Sequence, residues 1–392
     1  MSIIMRIVFL TFFLFNAACA APMPIQFLTV SDIHYGNNNK LGDGQDAGPE
    51  LLKLTENKIK ELSPTVNFIL FLGDIPAHAL LFNSSKVEYE KIVFQSLYRS
   101  DIAQKPIFYV PGNNDSLQGN YQPFEANGIS PLTYATDWDG ACAHCKGLII
   151  DDSHMYHDGY YSSYVIPNNK EVILLALNAT QWTQIPWLKR GFFSKYKNQE
   201  ADARTQLAWL EDQLKSHSAK QLLIAMHEPP GRSYLGESIW YEKYEQEFIR
   251  ILNKYNHLYG QITLLSSHTH MEEFRRVRLD NGLNLYDYAT PSISRNHHNY
   301  SALKVFSLNP ELQIKDFTTY YTSALREWNN EQYHALSAPD PILPNCQGQT
   351  LAECLDQLTP DQVCEDLDKG AFYGVKNADV PDNNCKKIFA VN

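Results

Sequence analysis

Five short apolar runs in this chain each stop at a polar cluster. IQFLTV reaches Asp32, NFILFL reaches Gly73-Asp74, PIFYV reaches Gly112-Asn113, QLLIAM reaches His227 and QITLLSS reaches His268. Short runs rich in β-branched and aromatic residues predict buried strands. Between them, helical patterns occupy 50–62, 86–99, 202–216 and 239–255. In the third, Leu207, Leu210 and Leu214 repeat at helical spacing with charges elsewhere. Strands alternating with helices predict an α/β domain around a buried sheet. Ligands of such sheets collect at the carboxyl ends of the strands, and every polar cluster falls at such an end. After His270 the runs shorten to NLYDYAT, ALKVFSL and LQIKDFTTYYT, and near 331 a helical, cysteine-bearing pattern begins. These changes divide the chain into residues 1–20, 21–330 and 331–392.

The first division reads as a secretory signal. Arg6 supplies the positive region, IVFLTFFLF the apolar core and Ala18-Cys19-Ala20 the small-x-small cleavage site, giving a mature start near Ala21. The apolar run is too short to span a bilayer. The expectation is a secreted or periplasmic protein with no transmembrane segment in the mature chain. Cleavage removes Cys19 and leaves Cys142, Cys145, Cys346, Cys354, Cys364 and Cys385. An even set in an exported chain predicts three disulfides, whose connectivity the sequence leaves open. Cys142 and Cys145 form a CxxC that could hold zinc or do redox chemistry. No second CxxC completes a four-cysteine zinc site, so a local disulfide is expected. The last division is then a small helical appendage tied by disulfides. A net charge of −11 over 392 residues removes the electrostatic case for wrapping a nucleic-acid duplex. An acidic chain binds phosphate when a metal ion supplies the positive charge locally.

The strand-end residues supply such a site. In order they are Asp32 and His34 in SDIHYG, Asp74 in LGDIPAH, Asn113 in PGNND, His227 in MHEPPG, and His268 and His270 in SSHTH. Two carboxylates, one amide oxygen and four imidazoles suit a pair of divalent transition metals such as zinc, manganese or iron. Residues two apart in an extended segment point the same way, so Asp32/His34 and His268/His270 are each expected to aim at one metal pair. Gly73 and Gly112 permit tight turns beside the ligands.

The ordered series D-x-H, G-D, G-N-x-[DE], H and H-x-H resembles the calcineurin-like metallophosphoesterases. GDIPAH, HEPPG, HTHMEEF and the later PSIS, LKVFSL and DFTTYY look like the acid sphingomyelinase-like phosphodiesterase branch, over roughly residues 25 to 325. The family usually has Gly where this chain has Ser267. The resemblance implies a two-sheet α/β sandwich holding two divalent metals, zinc foremost. It implies that Asp32, His34, Asp74 and His270 hold one metal, and Asn113, His227 and His268 the other, with Asp74 bridging. It also implies in-line attack of a metal-activated water on a small phosphorylated substrate.

The leaving oxygen needs a proton if it departs as an alkoxide. In the family, the residue after the metal-binding Asn is usually a His placed for that work; here it is Asn114. An amide donates a hydrogen bond but does not surrender its proton at ordinary pH. In the sphingomyelinase-like branch, a His four residues after the bridging Asp is also implicated near the leaving group, and His78 occupies that position. Either His78 protonates the leaving group alone, or the leaving group departs well unaided, as phosphoanhydrides do. The G-N-N-D string also looks like that of endopolyphosphatases. Nucleotides are therefore the first substrate expectation. Alternatives are a phospholipase-C-like sphingomyelin phosphodiesterase, an endopolyphosphatase acting on polyphosphate, and a non-catalytic phosphate-binding protein. The aromatic cluster Trp182, Trp187, Phe192, Phe193 and Tyr196 could stack a base, face a lipid, or pack in the core. His297-His298 could line the cleft, and His144, His154 and His157 surround the CxxC.

Overall fold

The computed structural model describes residues 24–36, 44–78, 83–186, 195–339, 341–346, 349–367 and 382–392. The signal-like segment 1–20 lies outside them, as do Trp187, Phe192 and Phe193. Among the described residues, fourteen strands fall into two seven-stranded sheets. The first contains β1 (Gln26–Val30), β2 (Phe68–Phe71), β3 (Ile107–Tyr109) and β4 (Cys142–Ala143). The second is built from β5 (Ile149–Asp151), β6 (Tyr161–Ile166), β7 (Asn169–Ala176), β8 (Ala219–Ala225), β9 (Tyr259–Ser266), β10 (Phe274–Arg278) and β11 (Asn284–Ala289). The chain then returns to the first sheet as β12 (Ser301–Leu308), β13 (Ile314–Thr322) and β14 (Glu331–His334).

The strand orders are β14-β13-β12-β1-β2-β3-β4 and β10-β11-β9-β8-β7-β6-β5. The centres, β1-β2-β3 and β7-β8-β9-β11, are parallel, so three carboxyl ends emerge side by side in the first sheet and four in the second. The crossovers include α1 (Pro49–Leu62), α2 (Asn83–Ser100), α4 (Gln199–Ser216) and α5 (Glu242–Tyr255); α3 (Met155–Asp158) is a single turn. Side chains alternate across the second sheet with period two. Val172, Leu174, Ala176, Leu223 and Ala225 face the first sheet with Phe27, Leu70 and Phe306. Ile173, Leu175, Leu222 and Ile224 face outward, where α4 covers them with Leu207, Leu210 and Leu214. The result is the α/β sandwich of two sheets flanked by helices, and it brings the ends of β1, β2, β3, β8 and β9 to one edge.

The helical region begins later than residue 331. Glu331–His334 instead pairs antiparallel with β13 and extends the first sheet. It is short and polar, and its pairing partner lies in the preceding strand, so the strand is stabilised by its neighbour and not by its own pattern. Helices follow as α6 (Leu351–Gln357), α7 (Pro360–Asp366) and α8 (Asp382–Phe389). Thr350 with Glu353, and Thr359 with Gln362, form reciprocal capping boxes that start the first two. The three disulfides are Cys142–Cys145, Cys346–Cys354 and Cys364–Cys385. After α8 the chain lies along β10: the Val391 N–H donates to Arg276 O at 3.1 Å, and Asn392 Nδ2 donates to Arg278 O at 2.8 Å. Among the described residues no helix is long and apolar enough to cross a membrane.

Candidate metal centre

The D-x-H and H-x-H pairs sit beyond their strands, and their backbone is not extended. Asp32 and His34 have φ of 48° and 46°, His268 and His270 of 70° and 67°, and Asp74 of 55°. This corrects the extended-segment expectation. Both members of each pair converge because both take the left-handed conformation, where Asp is enriched among non-glycine residues. The turns are fixed by hydrogen bonds that continue the sheet. The Asp32 N–H donates to Gly73 O and the His34 N–H to Asp74 O, each at 3.0 Å. At Gly112 a Cβ would lie 2.7 Å from Asp74 N, so only glycine lets the two loops approach. Asp115 locks the same junction. Its carboxylate accepts from the backbone N–H of Gly112 (2.8 Å), Asp74 (3.1 Å) and Ile75 (2.6 Å) and from the Tyr109 hydroxyl (2.8 Å).

Two trios result. One ligand atom each from Asp32, His34 and His270 lie within 4.8 Å of one another, and so do those from Asp74, His227 and His268. The trios adjoin: His227 Nε2 lies 3.6 Å from Asp32 Oδ1 and 3.2 Å from Asp74 Oδ2, and His34 Nε2 is 3.5 Å from the same Asp74 oxygen. Asp32 Oδ1, Asn113 Oδ1, His227 Nε2 and His270 Nδ1 are buried without a hydrogen-bond partner. Buried polar atoms are almost always satisfied, so unsatisfied ligand-type atoms of Asp32, Asn113 and His227, with His270 Nε2 3.1 Å from Asp32 Oδ1, fit a pair of divalent cations where the trios adjoin.

The partners behind these atoms set their direction. His34 Nδ1 lies 3.1 Å from Pro76 O and His227 Nδ1 2.6 Å from Leu72 O, which turns each Nε2 inward. Asn113 Nδ2 donates to Asn120 Oδ1 at 2.7 Å, so the Asn113 oxygen faces the centre. Ser267, which stands where the family usually has Gly, donates its hydroxyl to Asp32 Oδ2 and lies 2.5 Å from Ser31 Oγ. Asp32 Oδ1 is thereby left for the centre.

Electrostatics follow from the crowding. Burial alone would raise Asp32 and Asp74, but the imidazoles around them, His270 and His227 foremost, keep both carboxyls below their ordinary range. Burial opposes charge on His34 too, yet its bond to Asp32 and the charges of Asp74 and Asp46 raise it to about 9. Burial and the charge of His227 hold His268 down, at about 3. Cation binding at such a site displaces the proton that His34 favours.

His78 and Asn114 stand at the rim of this centre, in different postures. The Asn114 amide is turned onto the shared carboxylate: its N–H donates to Asp74 Oδ1 and its Nδ2 to Asp74 Oδ2, both at 2.8 Å. His78 stacks on His34 at 3.9 Å between ring centroids and remains 31% exposed. Asp46, which the sequence did not single out, accepts the His78 backbone N–H at 2.7 Å and lies 2.9 Å from His78 Nδ1. Asn296 Nδ2 lies 2.7 Å from the same ring nitrogen. With Nδ1 engaged, Nε2 is the nitrogen left for exchange with a bound molecule. Burial raises Asp46, but its bond from His78 and the nearby His34 outweigh this and hold it at about 2.

A cleft of about 170 Å³ opens over the centre, with Asp74, Asn113 and His268 below and Tyr121, Tyr234 and His297 along its walls. Of the other candidates, Trp182 is buried against Trp240 and Tyr196 is bound to Asp202, so both belong to packing. His154 pairs with Asp158, His157 with Glu125, and His144 stacks on Tyr98; each has its own partner instead of a shared ion.

Residues 25–272 match the family model described as calcineurin-like phosphoesterase. No curated protein sequence matches the chain. Among solved structures, it is similar to a dimetal phosphatase from Danio rerio, at 12% identity and TM-score 0.48, over 80% of this chain and 100% of that one. A hypothetical protein from Thermus thermophilus is similar at 10% identity and TM-score 0.36, over 76% of this chain and 99% of that one. The family match spans every one of the seven clustered groups, and so this chain belongs to the calcineurin-like phosphoesterases, metal-dependent hydrolases of phosphoesters.

Proposed function

We propose that the chain is an exported hydrolase of phosphate esters and anhydrides, with nucleotides as its first substrates, of the acid sphingomyelinase-like type. The observation that carries this reading is the pair of adjoining ligand trios beneath one cleft, with buried Asp32 Oδ1, Asn113 Oδ1 and His227 Nε2 left without a hydrogen-bond partner among them. Asp32, His34, Asp74 and His270 would hold one cation, and Asn113, His227 and His268 the other, with Asp74 shared. Two divalent cations, zinc foremost and manganese or iron as alternatives, supply when bound Lewis-acid polarisation of a phosphate and a water that ionises near neutral pH.

The chain's own residues do the rest. Asn114 and Ser267 fix the carboxylates, and the carbonyls of Pro76 and Leu72 fix two imidazoles. His78 Nε2, oriented through Asp46, would give a proton to the departing oxygen, and because burial and the charge of His34 hold this ring down at about 4, the role belongs to acidic pH. Asn114 donates hydrogen bonds and no proton, which suits phosphoanhydrides, whose leaving group needs little help. Three disulfides agree with an oxidising compartment.

The test gives ATP and sphingomyelin in detergent micelles to one metal-loaded preparation across acidic to neutral pH, with EDTA controls. EDTA-sensitive ATP hydrolysis without phosphocholine release is expected. Phosphocholine release would assign the chain to lipid, with His78 the acid. Two bound metals with neither activity would favour polyphosphate or a non-catalytic phosphate-binding protein.

A further inference from the structure

The proposed ligands account for the floor of the cleft and leave one wall unexplained. Residues 231–239, between β8 and α5, contribute Ser233, Tyr234, Leu235, Glu237, Ser238 and Ile239 to the cleft. Glu237 makes no hydrogen bond or ion pair with its side chain among the described residues. It lines the same cleft as Tyr121, whose phenol is pushed up by burial first, then by the charges of Glu228, Asp74 and Glu237. A line of rings runs from the floor to this wall: His297 lies 4.4 Å from His270, and Tyr234 lies 6.3 Å from His297, edge to face.

The base of this wall is anchored in the second sheet. Buried Arg275 donates to Arg232 O at 2.7 Å and to Pro230 O at 3.3 Å, and Glu245 accepts the Gly231 N–H at 2.6 Å. The tip is anchored by the C-terminal segment. Asn384 on α8 donates to Tyr234 O at 3.0 Å. Gly231 and Gly236 have φ of 90° and 83°, and a Cβ on them would lie 3.1 Å from Val391 and 3.2 Å from Asn384. Helix α8 is itself joined to α7 by Cys364–Cys385. The appendage therefore covers the edge of β10 and holds the tip of the cleft wall with the same eleven residues, 382–392.

We propose, resting on the nucleotide reading above, that residues 231–239 recognise the base of an amine-bearing nucleotide, with Glu237 accepting from its exocyclic amine, and that α8 positions them. The chemistry selects among ligands. An unpaired carboxylate repels a polyphosphate tail and attracts a donor. Flat rings with hydroxyl and amide neighbours suit a base, which stacks and forms hydrogen bonds. A quaternary ammonium forms none and asks for a cage of aromatic faces. Uracil has no exocyclic amine, so UTP is the natural discriminator.

The experiment measures kcat and KM for ATP, GTP, CTP and UTP, with bis(p-nitrophenyl) phosphate as a base-free reference, in the full-length metal-loaded protein. In wild type the three amine-bearing nucleotides are expected to have lower KM than UTP. Glu237→Ala should raise their KM relative to the reference roughly 10- to 100-fold, the range of a lost hydrogen bond to a charged group. The effect on kcat should be much smaller. Glu237→Gln, which keeps an acceptor, should recover part of the loss. Asn384→Ala and Cys385→Ser should reproduce the same KM pattern. If Cys385→Ser does not fold, Asn384→Ala alone decides the role of α8, and an unchanged KM there overturns it. Nucleotide turnover indifferent to the base and to Glu237→Ala overturns the assignment alone. Turnover of the nitrophenyl diester with no nucleotide turnover overturns the nucleotide reading and this assignment together. Phosphocholine ester turnover with an equal KM loss in Glu237→Ala gives the wall to a quaternary cation instead.

Discussion

The floor of the cleft and its rim at residues 231–239 differ in how the chain holds them. Each floor group sits within a few residues of a strand end, and its loop continues the sheet's hydrogen bonds, as Asp32 N–H to Gly73 O and His34 N–H to Asp74 O illustrate. Several also have a second atom tied down behind the first. The rim has no strand of its own. Its base hangs on buried Arg275 and on Glu245 from α5, and its tip on Asn384 near the end of the sequence. The floor is over-determined and the rim is assembled from distant parts. A change in the floor should remove chemistry; a change in the rim should redirect it.

The sharpest way to break this contrast is at Asp74, which both trios approach. Asp74→Asn is expected to lose at least one metal by elemental analysis and nearly all turnover on every substrate. Normal stoichiometry and activity would remove Asp74 from the floor. His78 stands at the border. His78→Ala should cost about 10²- to 10⁴-fold on an alkyl phosphodiester, the usual worth of a general acid, and far less on a nitrophenyl ester. Equal losses on both would leave His78 a packing role against His34.

The joint between floor and rim should respond to pH. Asp287 is buried beside Arg275 and accepts from Ser266 Oγ at 2.7 Å. Burial pushes it up to about 6, with Arg275 pulling the other way. The folded value lies above the unfolded one of about 3.9. The stability from this group is therefore complete below the unfolded value and is lost as pH rises through about 6. In metal-free protein, urea midpoints from about pH 4 to about pH 6.5 should show a downward contribution in wild type, of at most about 3 kcal/mol, that Asp287→Asn lacks. Identical pH dependence in the two would show that Arg275 keeps Asp287 ionised throughout. This is the smallest expected effect, because turnover should change little.

The floor was legible because its signal is local. An apolar run followed by D-x-H or G-N-N-D shows both the strand and the residue at its end within a dozen positions. What supports the floor was not. Asp46 meets His78 across 32 residues and Asn296 meets it across 218, and neither stands in a pattern that a strand or helix would impose. The left-handed backbone at Asp32, His34 and His268 was also hidden, since Asp and His take that conformation only where surrounding bonds enforce it. The same reason hid β14, whose pairing with β13 outweighs a weak local preference. The appendage's role was least visible of all, because Asn384 reaches Tyr234 across 150 residues.

Five of the seven floor groups carry that left-handed backbone, a conformation costing roughly 1–2 kcal/mol per non-glycine residue. Loops bent in this way persist because surrounding hydrogen bonds hold them, and a bound cation adds to that support. A cation that binds the folded form alone does so by mass action, contributing about 2.7 kcal/mol at a hundredfold excess over its dissociation constant. The folded population of this protein is then partly a function of the free metal around it. A chelator should then lower its resistance to unfolding, as a small dose of denaturant would.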